Sequence, residues 1–194
     1  RTLANQIAAA IHNATLADSA KMDVPEAERV YRLSHEIAQA ISENEALITL
    51  GRVMKEMPYP SIVMQLGEKA AEIIAVNNPV HESKDGVHKL NFQYQDAARS
   101  IHAPVLVNDL SHAENLPAGL LRPLRDIGCK SGAFLPIFTQ GQLSALLLIG
   151  EQPGQPLTSQ AVHPYSSVHS LLGATLDQLK SMRESQARLT ELEA

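Results

Sequence analysis

Two apolar runs separated by four residues constrain this chain most. Ser131–Phe138 and Leu143–Ile149 each have the length and content of a β-strand, and Thr139-Gln140-Gly141-Gln142 between them is a reversal signal. An antiparallel pair is the direct reading. A second hairpin is expected upstream, where Ser61–Leu66 and Glu72–Val76 flank Gly67-Glu68-Lys69. His88–Phe92 is a weaker strand. Pro104 introduces a short one at Val105–Val107, and Asn108-Asp109 turns the chain. Tyr94–Ile101 suits a short helix. Leu116–Ile127 suits another, with Leu120, Leu121, Leu124 and Ile127 inward, Arg122 and Arg125 outward, and Gly128 ending it.

Helical periods frame these strands. Leu3, Ile7, Ala10, Ile11 and Ala14 mark a first helix ending near Asp18-Ser19. Asp23 and Pro25 then open a second, as a capping residue and a first-turn proline do. It is expected to run unbroken from Val24 to Met57. Val30, Leu33, Ile37, Ala40, Asn44, Leu47, Gly51 and Met54 form a 3-4 seam along it, widened by Ile41 and Ile48. Pro58 and Pro60 stop it. After the loop Gln152–Pro156, Thr158 caps a last helix. Its seam is Tyr165, Val168, Leu172, Thr175, Leu179, Met182, Gln186, Leu189 and Glu193, and it grows polar after Ser181. Hairpins outnumber crossover units, so the predicted class is α+β with an antiparallel sheet between helices.

At roughly 100–200 residues per domain, 194 residues make one domain with extensions or two small ones. The net charge of −5 argues against a nucleic-acid surface. The single cysteine, Cys129, excludes an internal disulfide and a Cys-rich metal site. The longest apolar run, Ala145–Ile149, falls far short of the ~20 residues that span a bilayer. The chain opens on Arg1 and closes in a helical pattern at Leu192-Glu193-Ala194, which reads as a cytoplasmic segment of a longer protein.

From Val30 to about Met182 the pattern resembles a GAF domain, the small-molecule-sensing module of signalling proteins. The resemblance rests on Pro104-Val-Leu-Val-Asn-Asp-Leu110, Leu120-Leu-Arg-Pro-Leu-Arg-Asp-Ile-Gly-Cys-Lys-Ser131, Ala133-Phe-Leu-Pro-Ile137 and Gly141-Gln-Leu-Ser-Ala-Leu-Leu-Leu-Ile-Gly150. Leu33–Val53 resembles the helix that leads into such domains. Leu3-Ala-Asn-Gln-Ile-Ala-Ala-Ala-Ile-His-Asn-Ala14 resembles the closing helix of another, a place that Leu171–Leu179 takes in this one. The implied organisation is a preceding domain's closing helix and linker at 1–22, a GAF-like domain at 23–182, and an exit helix at 183–194. In the family the ligand lies between the sheet and the segment before the Val105 strand. Carried over, its walls would be Phe92, Tyr94, His102, Asp109, Leu116 and Ser131.

Sharper chemistries find little in the residues. Ser34-His35-Glu36 resembles the phospho-acceptor box of sensor histidine kinases, but Ile37-Ala-Gln-Ala40 replaces its continuation. Cys129 is followed by Lys130, not by the His usual at a bilin-bearing cysteine. No two of the eight histidines have metal-ligand spacing, although His88 or His102 stands where haem-binding members use one. Asn91, Phe92 and Asp96 match only part of the cyclic-nucleotide signature. Asp109 suits an Asx-turn or a ligand-facing carboxylate, and Ser131 a strand-edge hydroxyl or a ligand contact. A nucleophile elbow and a phosphate loop are both missing from the sequence. A methionine sulfoxide reductase of this fold would need several pocket cysteines.

These readings predict a chain that is not an enzyme and carries no cofactor. It would bind an unknown small molecule, pair as a parallel homodimer through its terminal helices, and relay a signal to an output domain of the same polypeptide. The alternative is a degenerate domain acting only as a dimerising relay. Its support is the 4% aromatic content and the short polar segment Asn77–Ile101, which would roof the pocket.

Overall fold

The computed structural model describes residues 24–67, 70–78, 89–91, 101–155 and 157–192. The helix expected near residues 3–18, the Asp23 cap, most of the Tyr94–Ile101 helix, Phe92 and Tyr94 lie outside them. The elements are α1 (Val24–Ala38), α2 (Glu43–Met54), β1 (Ser61–Leu66), β2 (Ala70–Asn77), β3 (Lys89–Asn91), β4 (Val105–Val107), α3 (Ala118–Asp126), β5 (Gly132–Thr139), β6 (Gln142–Gly150) and α4 (Ser159–Leu192). The strands form one antiparallel sheet in the order β3-β2-β1-β6-β5-β4.

Both hairpins expected from the sequence are present. In the β5–β6 pair the turn tightens to two residues, Gln140 at φ 51° and Gly141 at φ 76°. Two successive left-handed residues match the right-handed twist of the strands, the condition for a two-residue hairpin. β6 is apolar without alternation because the sheet is covered on both faces. Ala145, Leu147 and Ile149 point to one hydrophobic cluster, Leu146 and Leu148 to the other.

Helices α1, α2 and α4 build the first cluster. α2 and α4 rest on the sheet, and α1 packs on both of them. A Cβ at Gly51 would stand 2.3 Å from the Ala75 Cβ, so the glycine lets α2 lie directly on β2. α3, Ile101, Leu110 and Leu116 cover the opposite face over Ile62, Met64, Phe134, Leu146 and Leu148.

Two expectations about the helices need correction. The single helix from Val24 to Met57 is two helices. Its seam predicted continuity, but Ser42-Glu43-Asn44-Glu45 starts a new helix. The Ser42 hydroxyl accepts the Glu45 N–H at 3.2 Å, and the Glu45 carboxylate accepts the Ile41 N–H at 2.8 Å. That is a capping box shifted by one residue. The chain turns back there, and ion pairs Arg32–Glu56 and Arg52–Glu36 join the two arms. Asn44 of the expected seam is exposed in the first turn of α2, while Ile37, Ala40, Leu47, Gly51 and Met54 remain buried.

The seam expected along α4 also changes. α4 starts as predicted, with the Thr158 hydroxyl accepting the Ala161 N–H. Its buried face then follows the 3.6-residue period through Val162, Tyr165, Val168, Leu172 and Leu176, with Thr175 only half-buried. From Ser181 to Leu189 every residue is exposed, Met182 and Leu189 included.

Candidate ligand-binding face

The resemblance pointed to the corner where β4, the following loop, α3 and the start of β5 meet. β4 is a three-residue edge strand on the first part of β5, paired from Val105↔Phe134 to Val107↔Gly132. Past it, Pro136 lacks an N–H to offer, and His169 Nε2 on α4 donates to its carbonyl. The open edge of β5 is thereby blunted.

Asp109 ends the strand in an Asx-turn. Its carboxylate accepts the Ser111 N–H at 2.8 Å and lies 2.7 Å from His112 Nδ1. The His112 bond and then the Ser111 amide hold the Asp109 carboxyl below its ordinary value. Both side chains of the Asp109–His112 pair are largely exposed. Leu110 dives into the core. Its N–H donates to the Lys130 carbonyl at 2.7 Å, and its own carbonyl accepts from the Arg125 guanidinium. These bonds tie the loop to both ends of the α3–β5 connection.

α3 is amphipathic as expected, with Leu120, Leu121 and Leu124 buried and Gly128 past its end at φ 88°. Cys129 follows and is buried, its Sγ filling the space that a Cβ at Gly150 would need. Glu151, at the end of β6, accepts from the Ser131 hydroxyl at 2.6 Å and the Lys130 N–H at 3.1 Å. Burial first, and the Glu151 charge second, push the Cys129 thiol up to about 11.

The six residues expected to wall a pocket are distributed as follows. Phe92 and Tyr94 lie outside the described residues. His102 is exposed just before β4, and Asp109 is exposed in its turn. Leu116 belongs to the apolar cluster under α3, and Ser131 is buried against Glu151. The Leu110–Lys130 bond brings the backbones beside Asp109 and Ser131 together, while each side chain is engaged by a different partner. Glu151, His112 and Arg125 were missed as members of this corner. Glu151 was legible only as the first charge after a long apolar strand. Its partners lie about 20 residues away in sequence.

Among the described residues, no group of three or more His, Cys, Asp and Glu side chains could hold a metal ion. No helix among them is long and apolar enough to cross a membrane.

No protein-family model matches the chain, and no curated protein matches it in sequence. In three dimensions it is similar to free methionine-R-sulfoxide reductase from Neisseria meningitidis, whose X-ray structure holds its substrate. The TM-score is 0.58 at 12% identity, over 81% of this chain and 91% of that one. The class is therefore an α+β, GAF-like fold. That likeness supports the fold and not a signalling GAF domain specifically. It also corrects the expectation that the chain is not an enzyme: the protein it matches is one, so the fold gives no ground for denying catalysis.

Cys129 itself is a poor nucleophile. With a thiol at about 11, only about one molecule in a thousand carries the thiolate at pH 8. A coloured thiol reagent at pH 8 is expected to label native protein at least ~100-fold more slowly than protein in denaturant. Equal rates would show an open thiol. The sign with pH follows. Between about 9 and about 11 the unfolded chain loses the thiol proton while the native chain keeps it, so this group's contribution to stability falls across that window.

Proposed function

We propose that the chain is a regulatory module that relays a signal through its helices to an output domain of the same polypeptide, as a parallel homodimer in the cytoplasm. The observation that carries this reading is the division of α4. The helix has 34 residues, about 51 Å at 1.5 Å each. One face of its first half is buried in the core; from Ser181 it is exposed, with Met182 and Leu189, seven residues apart, both more than half exposed. Apolar residues at that spacing on a projecting helix suit pairing with a second copy.

A small molecule would set the signal by changing how the sheet packs on the helices. The ligand-free alternative draws on a specific observation: Ile62, Met64, Phe134, Leu146 and Leu148 are all buried, in one apolar cluster with Leu110, Leu120 and Leu124. Native mass spectrometry tests both points. The expected mass is twice 21.0 kDa, falling to a single chain when Met182 and Leu189 are both changed to Glu. A wild-type monomer would overturn the dimeric relay. A small-molecule adduct supports sensing, and its absence from protein purified without added ligand supports the ligand-free relay.

A further inference from the structure

The β5–β6 turn ends on the helix that leaves the domain. Gln140, its first residue, sits at φ 51°, where a side chain longer than Asn is unusual. Holding a non-glycine residue there carries a steric cost. Two contacts offset that cost. The Gln140 N–H, which points away from the hairpin, donates to the Asp177 carboxylate. The Gln140 side-chain amide lies 3.2 Å from each Glu184 carboxylate oxygen.

Asp177 and Glu184 are seven residues apart, so they share one face of α4 about 10 Å apart along its axis. Along this stretch the helix passes from core to solvent: Leu176, just before Asp177, is buried, Leu179 half-buried, and Ser181 exposed. The turn therefore spans the exit point of α4. Its strands carry Phe134 and Leu148 on the α3-side face of the sheet.

We infer that Gln140 is a latch, holding the exit half of α4 in line with the sheet through Asp177 and Glu184. A shift of the central hairpin reaches the projecting helix at two points rather than through general packing. The inference supplies a route for the proposed relay, yet the latch is a property of the single chain and is measured without ligand or output domain.

Hydrogen exchange across α4 tests it, in the Met182→Glu, Leu189→Glu background so that no partner helix protects the amides. Gln140→Gly keeps the left-handed backbone and removes the side chain; Glu184→Ala removes its acceptor. Both are expected to speed exchange over residues 180–189 roughly tenfold while β1 and β6 amides keep their protection. Alanine is the better helix former, so propensity alone would slow exchange in Glu184→Ala. Arg188→Ala, away from the turn, is expected to leave exchange unchanged or slower. Unchanged or slower exchange in both Gln140→Gly and Glu184→Ala would overturn the latch, whether or not the relay reading stands.

Discussion

Phe134→Ala is expected to remove about 3–5 kcal/mol of stability, the usual cost of truncating a fully buried aromatic side chain. A domain has only about 5–15 kcal/mol in total, so the variant should be barely folded. Phe134 is 0% exposed in the middle of β5, with Val105 opposite it on one neighbouring strand and Leu148 on the other. Leu110, Leu120 and Leu124 belong to the same cluster. A helix and three strands fix the walls, so the void cannot collapse. Phe134→Leu should lose much less. Urea melts of the three proteins measure this. A loss under about 1 kcal/mol would mean that Phe134 lines open space rather than packed core, and would favour a ligand under α3.

Asn77→Asp is expected to be as damaging, for an electrostatic reason. Asn77 ends β2, and its amide nitrogen meets the carbonyls of Met54 at 2.7 Å, Met57 at 3.2 Å and Tyr59 at 3.1 Å. These carbonyls lie at the end of α2 and in the connection to β1, where Pro58 and Pro60 contribute no N–H of their own. One buried side chain thus holds an irregular segment. A carboxylate in its place would face three acceptors with no hydrogen to give. Burying an uncompensated charge costs about 3–5 kcal/mol, and Asn77→Ala should cost about 1–3 kcal/mol, as for a lost partner of buried polar groups. In Asn77→Asp the folded carboxyl is raised above its unfolded value. Protonation then relieves the penalty, so the deficit relative to wild type should shrink from pH 7 to pH 4. Melts at both values read the sign, and a deficit independent of pH would refute the explanation.

The Glu151 contacts show why the candidate corner was only half legible. Asp109 was open to two readings from the sequence, and its Asx-turn needs only residues within three positions. Ser131 was likewise left between a strand-edge hydroxyl and a ligand contact. Its partner Glu151 arrives through the register of β5 against β6, where Gly132 pairs with Gly150. No local pattern announces that pairing. The expectation about catalysis fails for a different reason: motif chemistry is local, whereas a fold of this kind also serves an enzyme.

What the sequence determined alone are the features fixed by period and turn chemistry within about a dozen residues. These include the β5–β6 turn, the length of β1, the amphipathic α3 with Gly128 behind it, the Thr158 cap and the α+β class. The capping box at Ser42 is also written locally, against a seam of eight positions that favours an unbroken helix. The tertiary structure alone decided that α2 lies on β2 with Gly51 against Ala75 and that Asn77 holds the α2–β1 connection. It also brought Gln140 to Asp177 and Glu184. Each joins residues from 18 to 44 positions apart. Such contacts depend on which strand neighbours which and in what register, and that choice minimises the free energy of the whole sheet and its two covering layers rather than of any segment.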